Sequence, residues 1–152
     1  MGYEKKELMP PTYFCIALVL MLLLHILLPL GIWLTPLGRV ILGVSCIVVG
    51  GALAAGGKLT FDHHRTPVKP FEKPAILVTS GPFSFSRNPM YLGLIIVLFG
   101  AAFCLGSILP LLVTPAFIYL IRVKFILREE KMLEEIFGEE YREYTSIVRR
   151  WV

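Results

Sequence analysis

Three apolar runs dominate this chain, and a soluble fold of its size has no room to bury them. Phe14–Leu34 is almost wholly apolar, interrupted chiefly by His25, Pro29 and Gly31. At about 20 residues it matches a hydrocarbon core of roughly 30 Å. It is too long for a signal-peptide core, and no small-residue cleavage site follows it. After a Thr35-Pro36 break comes Leu37–Gly57, whose Gly43, Gly50, Gly51, Gly56 and Gly57 allow helices to approach closely. The third run, Tyr91–Ile121, is roughly 45 Å long as one helix, well beyond the bilayer. Gly106, Ser107 and Pro110 offer a reversal near its middle, so it is read as a hairpin of two helices. With 56% hydrophobic residues in 152 and a mean hydropathy of +0.73, the bilayer must cover much of the surface.

The expected fold is therefore an all-α membrane protein of one domain over residues 1–152, with about four transmembrane helices. The spans fall at about 13–34, 37–57, 89–105 and 109–127, the last two forming the hairpin. A loop, 58–88, and a C-terminal helical tail, 128–152, complete it. The positive charges test the topology. Lys5 and Lys6 precede the first span; Lys58, Arg65, Lys69, Lys73 and Arg87 fall between the second and third. Arg122, Lys124, Arg128, Lys131, Arg142, Arg149 and Arg150 lie at or beyond the end of the fourth. Arg39 alone falls on the opposite side. The positive-inside rule then places both termini, the loop and the tail in the cytoplasm. The membrane is the inner or plasma membrane in a prokaryote and the endoplasmic reticulum in a eukaryote. The net charge of +4 is accounted for beside these spans, so nucleic acid is not an expected partner. Cys15, Cys46 and Cys104 are odd in number and unpaired in spacing, which reads as buried free thiols rather than a disulfide or metal site.

Two polar segments call for a functional explanation. The loop carries Val68, Phe71, Ile76, Leu77, Val78, Phe83 and Phe85 among prolines and charges, a composition for the membrane surface rather than for disorder. It ends in Arg87-Asn88-Pro89, where Asn88 suits an N-cap and Pro89 the first helical position. Arg87 then sits beside a positive helix end. It either snorkels as an anchor or, with the helix N-terminus, holds an anion such as a carboxylate; the capping signal alone favours the anchor. In the tail, Leu133, Ile136 and Phe137 form an apolar stripe, with Gly138 as C-cap. Glu129 and Glu130 lie on or near that inward face. Acids there point to a cationic or hydroxyl-rich partner. The other acids read as a solvated face paired with Arg and Lys. His25 reads as an internally hydrogen-bonded packing residue. His63-His64 is an ordinary polar loop element or, for an amine substrate, a base.

Together these segments resemble the isoprenylcysteine carboxyl methyltransferase family, which groups with the membrane phospholipid N-methyltransferases. The matching stretches are Leu77-Val78-Thr79-Ser80-Gly81-Pro82-Phe83, Arg87-Asn88-Pro89-Met90-Tyr91-Leu92-Gly93 and Arg128-Glu129-Glu130 with Leu133. Phe137-Gly138-Glu139-Glu140-Tyr141, Tyr144 and Val148 follow. Many members carry His where this chain has Asn88, and proline where it has Arg149. The resemblance implies S-adenosylmethionine as methyl donor, at the cytoplasmic edge of the last two spans. It implies Leu77, Val78 and Gly81 along the cofactor, Arg87, Asn88 and Tyr91 at its methionine end, and Glu129 and Glu130 on its polar groups. Arg87 and Glu130 are then the residues expected to carry catalysis, with no metal. The implied substrate is lipophilic and membrane-dissolved, most simply an isoprenylcysteine-like acid methylated on its carboxyl oxygen. N-methylation of a phospholipid head group, a nicotinamide-dependent reductase and a non-catalytic membrane interaction protein are the alternatives.

Overall fold

The computed structural model describes residues 8–31, 35–65 and 74–152. Lys5, Lys6, Val68, Lys69, Phe71, Lys73 and the end of the first expected span, 32–34, lie outside the described residues. Among those described, regular structure is helical apart from one isolated bridge between Gly31 and Ser107. The order is α1 (Pro10–Leu27), α2 (Pro36–His63), a 3-10 turn (Gly81–Ser84), α3 (Pro89–Leu105) and α4 (Ile108–Ile121). A π-helical turn (Arg122–Ile126) leads directly into α5 (Leu127–Phe137), and α6 (Glu139–Ile147) follows. Among the described residues, three stretches are long and apolar enough to cross a membrane: α1, α2 and the continuous Ile108–Phe137; α3 is a shorter apolar helix.

Proline and glycine set most of these limits. Prolines stand in the first turn of α1, α2 and α3, where a missing N–H costs nothing. Thr35 caps α2 by accepting a bond from the Gly38 N–H at 3.1 Å. Gly106, at φ +68°, ends α3 in the left-handed conformation that reverses the chain into α4, as the hairpin reading expects.

Two boundaries depart from expectation. α1 stops at Leu27 rather than running toward residue 34, because Pro29 disfavours helical geometry at the residue before it. The chain there extends, and Leu30 O accepts a bond from Ile108 N at 2.8 Å. α2 continues past Gly57 to His63, so the first residues of the expected 58–88 loop are helical. Nothing in 58–63 breaks a helix, and Phe61 is held by stacking on Phe83, centroids 4.8 Å apart.

α2 and α3 pack through glycines seven residues apart. A Cβ added at Gly50 would lie 2.5 Å from Gly93 O, and one at Gly43 would lie 2.7 Å from Gly100 O. No side chain larger than hydrogen fits there, so the backbones approach directly. On the other side of α3, the buried core joins Met21 of α1, Leu98 and Ala102 of α3, Ile121 of α4 and Phe125 and Ile126 of the π turn. The outward faces remain apolar: Leu27 is 71% exposed and Leu37 70%, a surface suited to lipid and not to water.

Polar groups inside the bundle are placed deliberately. His25 pairs with the buried Ser107 hydroxyl, as its packing role requires. Arg39 lies against Gly106 at this end of the bundle, whereas Lys124 bonds the Tyr13 hydroxyl at 2.9 Å at the other. The cysteines are free as expected, but Cys15 is exposed rather than buried, on an apolar surface where a thiol costs little.

The glycine contact makes a specific demand. Gly50→Val should destabilise the protein by roughly 1–3 kcal/mol or more through forced separation of α2 and α3. Gly51→Ala, inside α2 at a position with nothing within 4 Å, should leave stability unchanged or raise it by up to about 1 kcal/mol. Thermal unfolding of the detergent-solubilised protein, compared across both variants, checks the difference.

Candidate functional site

The segment before α3 and the tail fold onto each other, and their contacts build the site. Leu77 packs against a cluster of Tyr141, Tyr144 and Val148, joined by Leu133 and Phe137. Ile136, expected on this stripe, faces outward at 38% exposure, because the helix turns it away from the α6 contact. Val78 is buried, and Gly81, at φ +60°, turns the chain against Thr60. The Tyr144 hydroxyl donates to Phe83 O at 2.6 Å. Arg87 N donates to Arg149 O at 3.0 Å, and Asn88 Nδ2 donates to Arg150 O at 3.1 Å. Asn88 does stand at the N-cap position of α3, but its side chain does not cap the helix; it holds the tail instead. Its own N–H is satisfied by Ser86 Oγ at 3.2 Å.

With the tail fixed, four charged or phenolic groups converge on the start of α3. Both Glu130 oxygens accept from Arg150, Nε and Nη2 each at 2.8 Å, a bidentate pair. Arg87 Nη2 stands 3.5 Å from Glu130 Oε1, and its Nη1 is 3.5 Å from the Tyr141 hydroxyl. Arg87 Nε is buried with no hydrogen-bond partner. Glu129, one residue earlier and so turned about 100° around the helix, accepts from the Tyr91 hydroxyl at 3.0 Å. The adjacent glutamates therefore divide: Glu129 serves α3, and Glu130 serves Arg87 and the tail. The π turn just before them widens the helix, and it presents Phe125 to both Tyr13 and Tyr91.

Beside this cluster lies a cavity of about 300 Å³, lined by Arg87, Leu127, Glu130, Lys131, Glu134, Tyr141, Arg142 and Thr145. It holds charges of both signs. Burial, and then the nearby Glu130 carboxylate, push the Tyr141 phenol above its ordinary pKa, and donating to Glu130 raises Arg150 above its own. Tyr141 therefore stays a neutral phenol that accepts from Arg87, and Arg150 a cation, at any working pH.

Of the residues singled out from sequence, Arg87 and Glu130 line this cavity together. Tyr91 and Glu129 form a bonded pair next to it. Asn88 binds the tail, Leu77 packs on it, Gly81 turns against Thr60, and neither these two nor the buried Val78 line the cavity wall. His63 and His64 close α2, their rings edge to face, with His64 bonded to Thr60 O at 2.9 Å. Sequence reasoning gave Arg150, Glu134, Leu127 and Thr145 no part in the site. No local pattern connects them to Arg87; a chemical hint lay only in Arg150 as the partner a buried glutamate requires.

The profile of the phospholipid methyltransferase family matches residues 38–140, and the chain belongs to that family. An uncharacterised protein of Haemophilus influenzae is 44% identical over 63 residues, 41% of this chain and the whole of that protein. Among solved structures, the eukaryotic intramembrane Ras methyltransferase, isoprenylcysteine carboxyl methyltransferase, superposes with a TM-score of 0.68 at 22% identity. The match covers 97% of this chain and 52% of the other, so this chain spans about half the length of that enzyme. The likeness is one of fold.

Burial holds the Tyr144 phenol up at about 12, above its ordinary value of 10.0. The protonated form is thus favoured in the folded tail, and its contribution persists below pH 10 and is lost as pH rises toward 12. Tyr144→Phe should strand the Phe83 carbonyl at a cost of about 1–3 kcal/mol. Limited proteolysis of the tail should show the wild type loosening between those pH values, and the variant loosened already at neutral pH.

Proposed function

We propose that this protein is a membrane-embedded methyltransferase that takes its methyl group from S-adenosylmethionine and transfers it to a lipophilic substrate at the membrane edge. The observation that carries this reading is the Arg87–Glu130 pair: a buried guanidinium with an unpartnered Nε, on the wall of a mixed-charge cavity, in a chain of a methyltransferase family. The donor's amino-acid end is a zwitterion, and the cavity offers both complements. Arg87 at the positive start of α3 suits its carboxylate, and Glu129, Glu130 or Glu134 suits its ammonium or hydroxyl groups. The donor, when bound, supplies a sulfonium methyl for in-line displacement.

The protein's part is alignment and a dry boundary. Holding both reactants in register is worth several kcal/mol of barrier, at the order of 7–11 kcal/mol for ideal geometry. A carboxylate acceptor is already ionised at neutral pH and needs no base. Its charge is cancelled against the sulfonium, a change that a low-dielectric edge does not oppose. The surplus of cations around the cavity (Arg87, Lys131 and Arg142 against Glu130 and Glu134) also favours an acid. Carboxyl O-methylation of an isoprenylcysteine-like acid is accordingly the first substrate reading. N-methylation of a phospholipid head group is the second, supported by the family match.

In this reading α1, α2, α3 and α4 are four spans of one domain, with α3 short because its neighbours thin the bilayer or shield its ends. The pole bearing Arg87, Lys124 and the tail faces the cytoplasm, and Arg39 faces the opposite leaflet.

Titration of the solubilised protein with S-adenosylmethionine should give saturable heat. Arg87→Ala should weaken it about 10- to 100-fold, the value of a charge-assisted hydrogen bond to the carboxylate. Glu130→Ala should abolish binding and, by leaving Arg87 and Arg150 without their shared carboxylate, also lower the unfolding temperature; unchanged donor affinity in the folded variant removes the glutamate from the site. Labelled-methyl transfer into prenylated thiol acids or into extracted phospholipids, read by mass spectrometry, separates the two substrate readings.

A further inference from the structure

Glu130 is a single anion claimed by two cations. Arg150 takes both of its oxygens at 2.8 Å, whereas Arg87 stands off at 3.5 Å. Glu130 and Arg87 are both largely buried, with side chains 16% and 15% exposed. The trio carries a net positive charge. That surplus rests on Arg87, whose Nε finds no partner and which also sits at the positive end of α3. Without Arg150 the Glu130 carboxylate would turn to Arg87, already 3.5 Å away, and neutralise it, since a buried charge does not stay unpaired when a partner is available.

We propose that Arg150 is a positioning residue: by holding Glu130 in a bidentate pair, it keeps the Arg87 guanidinium open to receive the carboxylate of the methyl donor. The proposal rests on the donor-binding reading of the site. It assigns a part to a residue 20 positions beyond the glutamate pair, in a segment whose backbone is secured separately. Arg149 O and Arg150 O are bonded by Arg87 N and Asn88 Nδ2, and Trp151 packs on the buried core. The Arg150 side chain is therefore not what docks the tail. A lysine there carries the charge but cannot span two carboxylate oxygens.

The test uses the full-length, detergent-solubilised protein and two probes. S-adenosylhomocysteine carries the amino-acid carboxylate; 5′-methylthioadenosine lacks it. For Arg150→Gln, calorimetric affinity for S-adenosylhomocysteine should fall about tenfold or more, while affinity for methylthioadenosine stays at the wild-type value. Arg150→Lys should show a smaller loss confined to the same probe, and it serves if the glutamine variant does not fold. Trp151 emission, read in a Trp33→Phe background, should be the same with and without Arg150. Equal loss for both probes, or a shifted Trp151 emission, would mean that Arg150 merely holds the tail and would overturn the assignment. Unchanged or tighter binding of S-adenosylhomocysteine overturns it as well. Failure of the donor-binding reading looks different: the wild-type protein then binds neither probe.

Discussion

Direct backbone contact between α2 and α3 governs the geometry of this protein. Gly43 and Gly50 of one helix meet Gly100 and Gly93 of the other with no side chain between them. In lipid there is no hydrophobic gain from pressing two apolar helices together, so close dispersion contact must supply the association. Once α2 and α3 are locked, the remaining parts have fixed addresses. Gly57 lies against Met90, Phe61 reaches Phe83, and Gly81 turns against Thr60. The segment leading into α3 is thereby held over the end of α2, and Arg87 emerges at a defined point.

The tail completes what that contact begins. Its anchorage is mainly backbone and phenol: Arg149 and Arg150 carbonyls accept from Arg87 and Asn88, and Tyr144 donates to Phe83 O. These bonds are short-range and directional, and they leave the arginine side chains of the cluster for charge work. The outcome is an asymmetric ion cluster at the rim of the bundle, two guanidiniums to one carboxylate, next to a second carboxylate held by Tyr91. Burial makes each of these pairings consequential, because every unpaired charge there costs far more than it would in water.

The resemblance in fold to a eukaryotic enzyme about twice as long places the shared architecture in these helices and this tail. What the longer protein adds lies outside the matched half. The family membership, the mixed-charge cavity and the orphaned Arg87 nitrogen converge on one rim of the bundle, and the proposed chemistry needs little else there: two opposite complements, a dry wall and access from the lipid side.

The sequence alone determined the solvent and the elements. Apolar run lengths demanded a bilayer, the Gly106 reversal split the third run, and Asn88-Pro89 marked the start of α3 to the residue. Such features are local: they depend on composition, proline chemistry and left-handed glycine, which a one-dimensional reading registers. It went astray where a tertiary contact overruled local pattern. α2 outran its apolar stretch because Phe61 found Phe83, Asn88 abandoned its capping role for Arg150 O, and Ile136 left the stripe. The partition of charge was decided only by the fold. Glu129 and Glu130 are neighbours in sequence with the same chemistry, and helical rotation alone sends one to Tyr91 and the other to Arg150 and Arg87. Which cation keeps a shared anion depends on distances across elements far apart in the chain, and no spacing rule encodes them.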